Sequence, residues 1–317
     1  MRHNHPIPRI IFMGTPDFAS ASLNALLQHG FPVVAVVTAP DKPAGRGMKL
    51  SASAVKKFAL EKGIPVLQPL KLKDPEFVGE LKSFGADVQV VVAFRMLPEM
   101  VWNMPPLGTI NLHGSLLPQY RGAAPINRAI MNGEKETGVT TFKLQQEIDT
   151  GNILLMEKLS IGPDETAGEL HDRMKITGAG LLVRTLEGLV SGTLEEQPQS
   201  FPDGMPVKQA PKILAADCEI NWNLPVAVIH NHIRGLSPSP GAFTRFHGKM
   251  LKIFRSRPEI NTQKQAPGTT GTDGRSWFRF AAPDGYIYLE EMQLEGKKRM
   301  QVTDFLRGFR PESRSNV

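Results

Sequence analysis

The chain has 317 residues, 41% apolar and 21% charged, which suits two folded domains with sizeable cores and excludes a disordered or fibrous protein. A single cysteine, Cys218, excludes an internal disulfide and a cysteine-built metal site, and leaves buried filler as its default role. The net charge of +6 is uneven: residues 1–205 carry 20 basic and 21 acidic side chains, residues 206–317 carry 17 and 10, so the surplus sits in the last third.

A basic module joined to a near-neutral one suggests a polyanionic partner held by one half and worked on by the other, with a solubilising surplus as the plain alternative. No run approaches a membrane span, and M-R-H-N-H-P-I-P-R lacks the apolar centre of a signal peptide, so a cytoplasmic protein with no membrane partner is expected.

Arg9 to Met13 reads as a short apolar strand ending at Gly14. A helix follows near Pro16, with Thr15 as its cap, and Gly30 ends it. Phe31 to Thr38 is a second strand, apolar almost throughout, as in a parallel sheet covered on both faces. This opening predicts a Rossmann-like, doubly wound, mostly parallel α/β sheet. Its first turn is G-T-P-D-F, not G-x-G-x-x-G, and Pro16 removes a backbone donor where a pyrophosphate needs one. A dinucleotide is therefore not the expected ligand.

Ala39 to Ser53 is a long polar loop holding Lys42, Arg46 and Lys49 against Asp41, with Gly45 and Gly47 flanking the arginine. Such a loop beyond a strand's carboxyl end suits a phosphate-bearing substrate; a solvated connection fits it equally. Helices are expected over Ala54 to Glu61 and Glu76 to Phe84, with a short strand at Pro65 to Leu67 between them. Asp87 to Phe94 is the strongest strand signal, and a further helix ends before Pro105.

Thr109 to Leu112 is the next strand. Asn111 and His113 stand two apart, so an extended chain points both side chains the same way, and Gly114 lets the chain turn. A polar Asn and a titratable His at a strand end look like a reaction centre; a hydrogen-bonded turn is the bland reading. A helix follows from Pro125 to Met131. Gly138 to Leu144 and Ile153 to Ile161 form a hairpin, with Asp149, Thr150 and Gly151 at its tip, a sequence that is also ordinary turn chemistry. Glu165 to Val190 is one long packing helix. Ser191 to Ile213 reads as a connection out of the first domain, giving domains at 1–205 and 206–317. Beyond a helix over Val226 to Arg234, short strands at 242–246, 250–255, 277–281 and 286–292 suggest a smaller OB-like β-barrel.

Several segments, in order over almost the whole chain, carry a family resemblance. They are I-F-M-G-T-P-D-F-A from Ile11, P-D-K-P-A-G-R-G from Pro40, N-L-H-G-S-L-L-P-Q-Y-R-G-A-A-P from Asn111, and E-I-D-T-G from Glu147. V-K-Q-A-P-K-I from Val207 and the later P-S-P-G-A complete them. The sequence resembles the methionyl-tRNA formyltransferases, within the wider group that uses 10-formyltetrahydrofolate. The resemblance implies formyl transfer from that donor to the α-amine of methionine on the initiator tRNA. It implies a catalytic trio at Asn111, His113 and Asp149, folate contacts at Ser115, Leu116, Leu117 and Pro118, and tRNA contacts at Lys42, Arg46 and Lys49. It calls for no metal, and a monomer is expected.

Two departures stand out. The turn after the strongest strand is A-F-R-M-L-P where relatives commonly carry A-Y-G-x-I-L-P, so contacts by the side chains at Phe94 and Arg95 are open. Asn221 stands before Trp222 where an Asp is frequent. Formyl transfer needs a donor for a developing oxyanion and a group to manage protons near neutrality. Asn111 and His113 supply these, and Asp149 supplies a carboxylate partner for the imidazole. Three rivals remain: an amino-sugar nucleotide formyltransferase, a glycinamide ribonucleotide formyltransferase, and a non-catalytic RNA-binding protein. The basic loop and basic terminal third weigh against the first, the second would leave the last hundred residues idle, and the intact trio weighs against the third.

Overall fold

The computed structural model describes residues 7–44, 49–201, 206–262 and 265–308. They gather into two compact units. The first takes Met1–Gly122, Thr137–Ser160 and His171–Gln209, and the second takes Ala123–Glu136, Ile161–Leu170 and Ala210–Val317. Among the described residues no helix is long and apolar enough to cross a membrane.

The chain begins with β1 (Ile10–Gly14), α1 (Asp17–Gln28), β2 (Val33–Val37), β3 (Lys42–Ala44), β4 (Lys49–Ser51), α2 (Ala54–Glu61) and β5 (Val66–Leu67). It continues through α3 (Pro75–Ser83), β6 (Val88–Val92), α4 (Glu99–Trp102), β7 (Thr109–His113) and β8 (Arg121–Gly122). After α5 (Pro125–Met131) come β9 (Glu136–Lys143), β10 (Ile153–Ser160) and α6 (Ala167–Ser191).

The first unit is built on a seven-stranded sheet ordered β10-β9-β7-β6-β1-β2-β5. Neighbours from β7 to β5 are parallel and β9 runs antiparallel to β7. Every residue of β1 and of β6 is buried, which explains their largely apolar sequences; the exception in β6 is Gln89, whose Oε1 accepts from Thr109 Oγ1 at 3.2 Å. From β1 the chain goes out to β2 and β5, then returns to place β6 on the other side of β1. The carboxyl ends of β1 and β6 therefore border a topological switch point, the usual ligand crevice of such sheets. Gly14 ends β1 there: an added Cβ would stand 2.5 Å from the Ala19 Cβ and 2.9 Å from the Val92 carbonyl oxygen. Only glycine lets α1 leave the strand so closely.

Three local features differ from the sequence expectation. The cap of α1 is Pro16, not Thr15; Pro16 has no side-chain cap bond, and its carbonyl accepts from Ser20 N at 3.1 Å. Residues 39–53 are not a plain loop but hold the antiparallel β3–β4 hairpin, with Lys42 opposite Ser51. The stretch after α6 does not simply lead away: Gln197 exchanges backbone hydrogen bonds with Ile153 at 2.7 and 2.9 Å.

The second unit contains α5 and then β11 (Gln209–Ala210) at its boundary, a 3-10 turn over Ala215–Cys218, and α7 (Val226–Gly235). There follow β12 (Ala242–Phe246), β13 (Lys249–Ile260), β14 (Thr270–Thr272), β15 (Phe278–Ala282), β16 (Gly285–Leu294), β17 (Met300–Gln301) and α8 (Val302–Gly308). Its strands form an antiparallel half-barrel ordered β12-β13-β16-β15-β14, with β17 on β16. Ile229 and Ile233 of α7 pack into the same core as Leu251, Phe278, Ile287 and Met292. Two earlier segments join this unit for stated reasons. Asn127 of α5 donates to the Gly235 carbonyl at 2.7 Å, and Arg234 donates to the carbonyls of Gly162 and Glu165 at 3.2 and 3.0 Å. Cys218 is buried, and burial pushes its thiol up, as suits an inert filler. Asn221 accepts from the Asn223 backbone N–H at 3.0 Å, a local turn beside Trp222, which stacks on Phe280.

Candidate active site

Strand alternation sets the site's direction. Asn111 and His113 share one face of β7 while Leu112 takes the other, where it meets α6 at Gly178. An added Cβ on Gly178 would stand 3.0 Å from the Leu112 Cδ2. Asn111 lies beside Val91 of β6 in the parallel register, above the core that Val91 forms with Leu97 and Val101. Asn111 is half-buried, and among the described residues its side-chain amide makes no hydrogen bond.

His113 is only 6% exposed. Its Nε2 stands 2.9 Å from the carbonyl oxygen of Tyr120. A carbonyl only accepts, so Nε2 carries a hydrogen, and Nδ1 is the nitrogen left to gain or lose a proton. Nδ1 faces Asp149 Oδ2 at 3.7 Å. That carboxylate oxygen also accepts from the backbone N–H of Gly122 at 2.9 Å. Asp149 is 8% exposed and sits at φ 54°, while Gly151 two residues on packs against the Lys143 carbonyl so tightly that a Cβ would lie 1.6 Å from it. The D-T-G sequence is thus a steric requirement as well as a source of charge. The structure brings His113 and Asp149 together at the carboxyl end of β7, with Asn111 two residues back on the same face of that strand.

Of the four expected folate contacts, two turn inward. Ser115 is fully buried and donates through Oγ to the Gln119 carbonyl at 2.6 Å. Leu117 packs with Phe142 and Ile153, and its N–H reaches Thr140 Oγ1 at 3.3 Å. Thr140 in turn donates to the Ser115 carbonyl at 2.7 Å, tying both ends of the turn. Leu116 and Pro118 are half-buried.

The Arg95 side chain has a definite place. Its guanidinium donates to the Leu70 carbonyl at 3.0 Å and to the Pro69 carbonyl, and lies 5.6 Å from the Phe94 ring centre. It fastens the turn after β6 to the turn after β5. A cleft of about 840 Å³ opens there, lined by Leu72, Lys73 and residues 95–100.

Among the expected tRNA contacts, Lys42 is exposed on β3, Lys49 lies on β4, and Arg46 falls outside the described residues. Asp41, the loop's acid, is taken up by Lys56 at 2.6 Å and by Gln68 at 2.9 Å, and the Lys56 hydrogen bond leads in holding its carboxyl below the usual range. Asp41 is thus engaged away from Lys42.

Asp17, His171 and Asp172 offer atoms within 4.8 Å of one another, close enough to hold a cation. Lys175 Nζ already stands 3.0 Å from Asp17 Oδ2 and from Asp172 Oδ1, and these bonds, Asp172 first, raise its pKa. An ammonium fills the place a metal would take. The sequence marks Tyr120, Arg121 and Gly122 only as part of the stretch from Asn111, with no role of their own, and does not single out Thr140 or Gln199. Gln199 donates to the carbonyls of Asp149 and Gly151, and Arg121 donates to Gln199.

Residues 8–186 match the family model described as formyl transferase, and residues 212–310 match the formyl transferase C-terminal domain. A crystal structure of a sugar 3N-formyl transferase, in the presence of dTDP and 5-N-formyl-THF, superposes with a TM-score of 0.66 at 19% identity, covering 92% of this chain and 100% of that one. Fold and matches together define a formyltransferase. The methionyl-tRNA formyltransferase of Azobacteroides pseudotrichonymphae is 51% identical over 309 residues, 95% of each chain. That of Parabacteroides distasonis is 50% identical over 310 residues, 95% of this chain and 96% of its own. The chain belongs to the methionyl-tRNA formyltransferase family.

Proposed function

We propose that the protein transfers the formyl group of 10-formyltetrahydrofolate to the α-amine of methionyl initiator tRNA, as a cytoplasmic monomer, with the functional division of the chain near residue 205. The observation that carries this reading is the meeting of an unpaired Asn111 amide with His113 and Asp149 at the crevice end of the sheet. The amine attacks the formyl carbon and an oxyanion develops. Collapse of that tetrahedral intermediate breaks the bond from the formyl carbon to the donor nitrogen. Tetrahydrofolate leaves, with that nitrogen taking up the proton that the amine nitrogen gives up. The Asn111 amide donates to that oxygen. His113, with Nε2 committed to Tyr120, uses Nδ1 to hold or move the amine proton, and Asp149 stabilises the imidazolium so formed. The donor rests against the turn of Ser115 to Pro118, with Leu116 and Pro118 giving the side-chain contact. Lys42, Arg46 and Lys49 reach the tRNA phosphates.

One assay tests the reading. Purified protein is given 10-formyltetrahydrofolate with charged initiator tRNA, charged elongator tRNA or an amino-sugar nucleotide. Formylation confined to the initiator tRNA is expected; transfer to the sugar nucleotide alone would overturn it.

A further inference from the structure

Asp149 holds a left-handed backbone conformation, φ 54°, uncommon outside glycine though Asp tolerates it better than most residues. Gln199 braces the turn there. Gln199 Nε2 donates to the Asp149 carbonyl at 2.8 Å and to the Gly151 carbonyl at 2.9 Å. Its Oε1 accepts from Arg121 Nη2 at 2.6 Å and Nε at 3.2 Å. These four bonds use both donors and both lone pairs of the amide. They also fix its orientation, because carbonyls only accept and a guanidinium only donates.

The circuit closes on the reacting carboxylate. Gly122 follows Arg121, and its backbone N–H donates to Asp149 Oδ2 at 2.9 Å. Arg121 and Gly122 thus grip Asp149 twice, through the side chain directly and through the backbone by way of Gln199. Gln199 reaches its place because Gln197, two residues earlier, is paired to Ile153 at the start of β10. The segment is stitched to both the loop tip and the strand behind it.

We propose that Gln199, with Arg121, is a positioning residue of the transfer reaction, setting where the Asp149 carboxylate stands relative to His113 Nδ1. This rests on the reading of Asn111, His113 and Asp149 as the reacting site. Gln199 acts through the Asp149–Gly151 turn that it holds.

Gln199→Glu is the sharpest variant. It is near-isosteric and still accepts from Arg121, but it turns an oxygen toward two carbonyls. The kcat falls about 100-fold, the scale of a small misplacement at a reacting centre. KM for both substrates changes by less than about threefold, and the pH–rate profile shifts. A role in general stability alone would leave kcat of the folded protein and its pH profile unchanged, and that result overturns the proposal.

The deciding measurement is a double-mutant cycle with Asp149→Asn in single-turnover formyl transfer. Gln199→Glu costs little further once the carboxylate is gone; the same loss in both backgrounds overturns the proposal. Arg121→Lys keeps the charge and loses the fork, and reproduces the kcat effect in milder form. It takes the place of Gln199→Glu in the cycle should that variant not fold. The unsubstituted protein is the internal control. If it fails to formylate charged initiator tRNA, the reaction reading falls. If it is active and both variants match its kcat, only the positioning role falls.

Discussion

Asn111 separates a functional role from a structural one more cleanly than its neighbours do. Its amide makes no hydrogen bond among the described residues, so removing it leaves no buried group without a partner. Asn111→Ala should leave the melting temperature near that of the unsubstituted protein while lowering kcat by about 100-fold or more, the cost of one oxyanion donor. A loss of stability with kcat intact would make Asn111 a turn residue. His113→Ala and Asp149→Ala should lower transfer at least about 100-fold as well, and near-normal kcat in either would count against the trio. Both also lose bonds to Tyr120 and Gly122, so some stability goes with them. At this scale the sequence was informative where chemistry and turn geometry coincide. Asn111 and His113 stand two apart on a strand, and D-T-G marks its own turn. Gln199 was not legible, because it sits in a Pro- and Gln-rich stretch with no periodicity, and its three partner residues lie 48 to 78 residues away. Arg95, a departure from the usual pattern, is explained by carbonyls of another turn that no local pattern announces.

Elements whose apolar period is long were readable to within a few residues. The strand–helix–strand opening, β6, α2 and α5 all fall within a few residues of where the sequence places them, with the cap of α1 one residue later than expected. Elements of two or three residues were not: β3 and β4 are held by pairing across a polar, Pro- and Gly-containing loop, and such pairing is non-local. α7 carries a consequence its sequence does not show, because burial disfavours the charged form of both its histidines. Burial lowers the pKa of His230 below its usual 6.5, helped by the Arg234 charge and opposed by Asp164, whose Oδ1 lies 3.2 Å from Nε2. Ser256 of β13 faces the other ring nitrogen at 3.1 Å. Burial lowers His232 too, against a backbone bond from Cys218 and the Asp217 charge, with Arg128 adding to the lowering. A histidine with a depressed folded pKa binds fewer protons folded than unfolded. Its contribution is therefore complete above the unfolded value and is lost as pH falls below it. The second unit should unfold at lower urea at about pH 5.5 than at about pH 7.5, followed by tryptophan emission from Trp222 and Trp277. His230→Gln should reduce that difference; an unchanged pH dependence would show that other groups set it.

Across the whole molecule, the charge asymmetry makes the most exposed claim. The surplus of seven positive charges in residues 206–317 and the basic hairpin at 42–51 both suit a substrate covered in phosphates. A folate donor is small and needs neither. If these groups displace counterions from the tRNA, KM for charged initiator tRNA should rise steeply between about 50 and about 200 mM salt, while KM for the folate donor moves little. Each phosphate contact removed should flatten the logarithmic slope by about one, so Lys42→Ala and Arg46→Ala should each do so without lowering kcat at saturating tRNA. Lys42 is the more direct of the two to interpret, because Asp41 beside it is already occupied by Lys56 and Gln68 and so does not hold the lysine. A tRNA KM indifferent to salt would leave the basic third as a solubility feature and return substrate choice to the crevice at β6 and β7. A steep dependence that survives both substitutions would assign the phosphate contacts to the half-barrel unit and leave the hairpin another task.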